Sequence, residues 1–175
     1  MKLFRVLILL TVAVSLYGCG YTFKSALPAG LTTIYVETFE NKIDFTAENR
    51  RNLYLPLLEQ DVRRAVTDRF LFDGNLKLND ENNADLILTG KLLNYRRVGL
   101  RFSSNDDVEE YRVYITVSLT LTRNGEEEPM WEESSFIGEA TYFVSGSRAT
   151  SEESAVREAV EDLARRIVER TVENW

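Results

Sequence analysis

Four arginines, Arg96, Arg97, Arg101 and Arg112, fall close together in the middle of the chain, with Lys91 just before them. Tyr95, Leu100, Phe102 and Tyr111 are interleaved with them. A guanidinium is a planar fork of donors that meets two oxygens of a phosphate or carboxylate at once. Set among aromatic and aliphatic side chains, such a cluster suits an amphipathic anion, for example a phosphorylated glycolipid. The same charges also have a plainer use, because Lys and Arg on strand edges discourage pairing with a foreign sheet.

The single cysteine, Cys19, is the second residue with chemistry to offer. Lys2 and Arg5 precede an apolar run of 11 residues from Val6 to Leu16. That run is too short to cross a hydrocarbon core of about 30 Å as a helix, and it fits the core of a signal peptide. Leu16-Tyr17-Gly18-Cys19 then resembles a lipobox, with Tyr17 bulkier than the usual residue there. Residues 1–18 therefore read as a signal peptide and residues 19–175 as one mature domain whose Cys19 is acylated. Each buried methylene contributes about 0.8 kcal/mol, so several acyl chains anchor almost permanently where one does not. Cys19 is then an anchor and neither a reactive thiol nor half of a disulfide. Gly20 follows it where an Asp would mark inner-membrane retention, so the expected destination is the outer membrane, with the domain facing the periplasm.

Composition removes most other chemistry. The chain of 175 residues has no His and one Cys, which leaves no ordinary zinc or iron site and no Ser-His-Asp or Cys-His machinery. Gly74, Gly90 and Gly99 stand alone, so no phosphate loop is present. The carboxylates at Asp106-Asp107, Glu109-Glu110 and Glu126-Glu127-Glu128 read as solvated loops and a hairpin tip. No catalytic residue, metal ligand or cofactor is expected. The formal net charge is −7; without Lys2 and Arg5 it is −9, from 19 basic and 28 acidic side chains. That balance argues against nucleic-acid binding while leaving room for a local basic patch.

The elements that must position the arginines follow from periodicity. Residues 33–39 are β-branched and aromatic and predict a strand. Apolar side chains at 55, 58, 62, 66 and 70 predict a helix over 53–70, with Pro56 tolerable only in its first turn. Short strand 76–78 and long strand 84–98 follow, with Gly90 marking a bulge or a close approach. Residues 103–110 predict a polar loop. Along 111–123, Val113, Ile115, Val117, Leu119 and Leu121 alternate with polar residues, as a half-buried antiparallel strand requires. Asn124-Gly125 predicts a type I′ hairpin turn into a returning strand over 130–144. Thr150 and Glu153 fit a capping box for a closing helix with an apolar stripe at Val156, Val160, Leu163 and Ile167. The expected fold is α+β: a two-layer sandwich of four or five mostly antiparallel strands, in a mixed sheet, with two helices on one face.

Several segments taken in order resemble a known family. These are Cys19-Gly20-Tyr21-Thr22-Phe23, LPAGLTTIYVETFENK at 27–42, TDRF at 67–70, DGNLKL at 73–78 and ADLILTG at 84–90. Together they resemble the LPS-assembly lipoprotein family (LptE). The resemblance implies a non-enzymatic α/β lipoprotein that plugs the lumen of the outer-membrane LPS-transport β-barrel. It also implies help in assembling that barrel and engagement of LPS, through lipid A, on its way to the outer leaflet. The family offers no binding motif that transfers residue by residue, so the candidate ligand residues remain Lys91, Arg96, Arg97, Arg101 and Arg112. A different class stays open: the ADLILTG-type strand also occurs in lipoproteins that regulate a cell-wall synthase or form curli-secretion-like assemblies.

Overall fold

The computed structural model describes residues 27–28, 30–44 and 55–173. Residues 1–18, read above as a signal peptide, and Cys19 lie outside the described residues. In chain order the elements are β1 (Thr33–Val36), β2 (Glu40–Asn41), α1 (Leu58–Asp73) and β3 (Lys77–Leu78). They continue with β4 (Leu86–Phe102), β5 (Val108–Arg123), β6 (Pro129–Phe143) and α2 (Glu152–Glu173).

The three long strands form an antiparallel meander, β4-β5-β6, and the short β1 and β3 extend the sheet in parallel beyond β4. β2 adds a second short parallel contact at Lys91 and Leu92. This is the expected α+β mixed sheet, with six strands once the two-residue β2 and β3 are counted. The alternation in β5 does what its periodicity demands: Val113, Ile115, Val117, Leu119 and Leu121 are all buried. From α1, Leu58, Val62, Val66 and Phe70 project into the same core at four-residue spacing. From α2, Ala155, Ala159, Leu163, Ala164 and Ile167 do so.

Two glycines fix how closely the layers approach. A Cβ on Gly90 would lie 2.2 Å from the Phe39 ring, so β4 is smooth there to let the aromatic in. A Cβ on Gly138 would meet the Ala159 carbonyl oxygen at 2.4 Å and Leu163 Cβ at 2.5 Å, so α2 rests directly on the β6 backbone.

Three local expectations are corrected. Helix α1 starts at Leu58, after Pro56, with Leu57 in the left-handed region at φ 61°; residues 55–57 are therefore outside the helix. The α2 cap is Ser151, whose Oγ accepts from Ser154 N at 3.1 Å, one residue later than the Thr150–Glu153 spacing suggested. At the β5–β6 turn, Gly125 has φ 84° but Asn124 does not have positive φ, and Glu126 N donates to the Arg123 carbonyl at 3.0 Å. This is the type II pattern, so the turn is not type I′. Asn124 instead uses its side-chain amide to hold the carbonyls of Glu81 and Ala84 at 2.8 and 2.9 Å.

Candidate functional site

The meander β4-β5-β6 outruns the short strands β1, β2 and β3. β1 and β2 pair only with the first part of β4, up to Leu92, whereas the β4–β5 ladder runs on to Phe102 and Val108. The distal half is thus a three-stranded antiparallel arm of β4, β5 and β6 with β4 as its free edge, and it carries the arginines.

A bulge decides which way each arginine points. Leu92 pairs with Val117 and Asn94 with Thr116, so Leu93 is the extra residue. Past it the parity of β4 reverses: Leu86, Leu88 and Leu92 are buried beneath the helices, and then so is Tyr95. Arg97 shares the helix side with Tyr95. Lys91 and Arg96 fall on the helix-free face together with Arg112 of β5, and a second bulge, with Leu100 as the extra residue, returns Arg101 to that face.

On the helix side, Arg97 is tied into the fold. Its guanidinium lies over the Tyr111 ring at 4.6 Å, donates to Tyr142 Oη at 3.3 Å and pairs with Glu152 in the first turn of α2. Tyr95 Oη donates to the same carboxylate at 2.6 Å, and the Tyr111 and Tyr142 rings stack at 5.6 Å. Burial pushes the Tyr95 and Tyr142 hydroxyls up, and for Tyr95 the Glu152 charge adds to it, so both stay protonated donors. Burial would lower the Arg97 guanidinium, but Tyr142 and Glu152 outweigh it and hold it more firmly protonated than usual.

On the free face the arginines differ in how they are neutralised. Lys91 faces Glu40 at 3.9 Å, Arg101 faces Glu110 at 3.4 Å and Arg112 faces Glu139 at 3.5 Å. Arg96 lies over Tyr114 at 4.7 Å and has no carboxylate partner among the described residues. Arg148 was missed by the sequence reading. It lies in the segment after β6, 4.1 Å over the Phe143 ring, which Arg101 also approaches at 5.8 Å. It too has no carboxylate partner among the described residues. Arg101, Glu109, Phe143, Ser145, Ser147 and Arg148 line a cavity of about 290 Å³. Around this end Val98, Leu100, Phe102 and Val144 are exposed, Leu100 at 46% and Phe102 at 56%.

Cations held on aromatic faces beside bare aliphatic surface can bind a phosphate and a hydrocarbon together. They cannot supply a nucleophile and a base. No group of three or more metal-ligating side chains occurs among the described residues. Fold and site together define a small two-layer α+β domain whose distal end sets arginines without carboxylate partners among the described residues beside exposed aliphatic side chains.

Within that class the chain belongs to the LptE family, described as lipopolysaccharide-assembly, which matches residues 31–171. Membership gives it a role in LPS assembly, within a family of non-enzymatic outer-membrane lipoproteins whose partners are the LptD barrel and LPS. Comparison with curated proteins returns no match. Among solved structures, the chain is similar to a minor lipoprotein from Acinetobacter baumannii at 15% identity and TM-score 0.50, over 81% of this chain and 92% of that one. It is also similar to a hypothetical protein from Chlamydia trachomatis (13% identity, TM-score 0.52), over 80% of this chain and 95% of the other. A protein from Xanthomonas campestris matches at 12% identity and TM-score 0.54, over 86% and 91%. At these identities the similarity is one of fold. No described helix is long and apolar enough to cross a membrane.

Proposed function

We propose that the mature chain is anchored in the outer membrane by acylated Cys19, seats in the lumen of the LPS-transport barrel and helps it assemble. In this reading the domain engages LPS with the distal end of the arm. Arg96 and Arg148 are the principal phosphate contacts there, assisted by Arg101; Arg112 lies between Arg96 and Arg101 but faces Glu139, and Lys91 is more distant on the same face. The observation that carries the reading is the pairing, at one end of the sheet, of guanidiniums without carboxylates and exposed aliphatic side chains. Lipid A presents phosphates beside acyl chains and needs that combination. Arg97 supports the site from behind by fixing the arm to α2.

The test compares LPS binding by wild type and by Arg96→Glu/Arg148→Glu, with circular dichroism as the folding control. Two arginine–phosphate contacts contribute on the order of 1.5 kcal/mol each when desolvated, and much less when exposed. The double reversal should therefore weaken binding at least about tenfold with the fold intact. Equal binding would reduce the arginines to edge protection and leave only the plug. Capture from detergent-solubilised outer membrane tests the plug itself. Recovery of a large β-barrel with both proteins is the expected result, and recovery of a cell-wall synthase would sink the barrel partnership.

A further inference from the structure

The last turn of α1 exposes two adjacent apolar side chains, Leu71 at 64% and Phe72 at 81%. The Arg69 guanidinium lies 5.3 Å over the Phe72 ring, and it makes no ion pair among the described residues. We propose that this corner, Leu71, Phe72 and Arg69, is a second contact with the phospholipid surface that carries the lipid anchor, with the two apolar side chains in the interface and the guanidinium at headgroup level. The inference rests on the anchor at Cys19 proposed above.

The tether decides between the two apolar ends of the molecule. Leu27 packs against the core. From Cys19 to Leu27 there are eight residue steps, which reach at most about 28 Å when fully extended. Leu27 leads within a few residues to Thr32, whose carbonyl accepts from Lys77 N at 2.9 Å. Lys77 follows the end of α1 at Asp73 by four residues, so the start of β1 and the end of α1 lie at the same end of the sheet. β4 ends far away: its 17 residues span about 55 Å. The tether excludes the orientation in which the tip at Leu100 and Phe102 points down, because Leu27 would then stand about 55 Å above the bilayer, and it allows the one in which Leu71 and Phe72 meet the chain's own membrane and hold the tip away from it. Two exposed side chains bind a bilayer weakly when free. Tethered within 28 Å they act at high local concentration, so a weak contact suffices to set orientation. The guanidinium over an aromatic ring is the arrangement in which a cation reaches headgroup phosphates while its ring sits lower.

The experiment uses the full acylated lipoprotein in vesicles of phosphatidylethanolamine and phosphatidylglycerol. Acylated Cys19 has no free thiol, so Phe72→Cys and Leu100→Cys each supply one site for a nitroxide label. Accessibility to oxygen and to a water-soluble nickel chelate is then read by electron paramagnetic resonance. At position 72 the oxygen-to-nickel ratio should be severalfold higher than at position 100. Equal ratios at the two positions would overturn the proposal. A ratio that rises at position 72 only when the purified barrel is added would assign the corner to the barrel wall instead. If mass spectrometry finds no acyl chains and the protein fails to float with vesicles, the anchor itself falls and this inference with it.

Discussion

Asp85 shows how much a single carboxylate does for this fold. Its Oδ2 accepts from Thr32 N and Thr33 N, both at 2.9 Å, and from their hydroxyls at 3.1 and 2.8 Å. The start of β1 is thereby pinned to the start of β4. The Thr32 amide above all, then the Thr33 hydroxyl, hold the Asp85 carboxyl down to about 2 against a modest opposing effect of burial. A depressed folded pKa means stability that is fully present above the unfolded value near 4 and is lost as pH falls from there toward 2. Asp85→Asn should lower the urea midpoint at neutral pH, and its deficit should shrink steadily between pH 4 and pH 2 as wild type loses the same contribution. A deficit of constant size across that range would show that Asp85 is not an ionised pin. Residue-level reading of the site from sequence went part of the way. The cluster Arg96, Arg97, Arg101 and Arg112 was legible as composition. That Arg97 turns its back on the others depends on the Leu93 bulge, and the only trace of it was the parity change between buried Leu92 and buried Tyr95. Arg148 gave no local signal, because it reaches Arg101 only through the β5–β6 register that places Phe143 opposite Glu110.

At the scale of elements, the exposed edge of β6 needs an explanation. β6 is fifteen residues long and outermost in the sheet, a natural template for another strand. Helix α2 closes it. Asp162 Oδ2 accepts from Glu139 N at 3.1 Å, and the Arg166 guanidinium donates to the Ile137 carbonyl. These are the two backbone groups a neighbouring strand would use, met here by one acceptor and one donor from adjacent helix turns. Farther along, Thr150 N donates to the Phe143 carbonyl at 3.0 Å. Asp162→Ala/Arg166→Ala should leave helicity unchanged, speed exchange of the Glu139 amide roughly five- to tenfold and shift sedimentation toward a dimer as concentration rises. A variant that stays monomeric with a protected Glu139 amide would remove α2 from this role. Both helices and β5 were legible in the sequence because each carries an unbroken period of 3.6 or 2, and β4 and β6 because they are long β-branched and aromatic runs despite their bulges. Boundaries moved where a single residue overrode the period: Pro56 delayed α1, and Ser151 rather than Thr150 capped α2. The parallel strands β1 and β3 pair with residues far away in sequence, so the order β3-β1-β4 had no local sign.

For the whole molecule, the decisive fact is that two arginines without carboxylate partners among the described residues, Arg96 and Arg148, sit on an acidic body, at an end whose own turn also carries Asp106, Asp107, Glu109 and Glu110. Residues 19–175 carry a formal charge of −9 by their side chains, yet Arg96, Arg101, Arg112 and Arg148 gather at one end. An approaching polyanion such as LPS meets two opposed fields. At 0.01 M ionic strength the Debye length is about 30 Å, so much of the acidic body is felt during approach and repels it. At 0.1 M the length is about 10 Å, and an anion near the tip senses the arginines while the far end of a sheet about 55 Å long is screened out. The contact itself is weakened by salt in the ordinary way, since arginine–phosphate attraction is screened too. The two effects separate in the rates. Raising ionic strength from 0.01 to 0.1 M should increase the association rate for LPS while also increasing the dissociation rate. A uniformly basic binding surface would show the opposite trend in association, which falls steeply with salt. Arg96→Glu/Arg148→Glu should keep the salt-induced rise in association, because the acidic body is unchanged or more negative, and should lose most of the bound lifetime. Association that falls monotonically with salt in wild type would mean that the ligand approaches a face other than this tip, and the arm would then have to be assigned to the barrel partner alone.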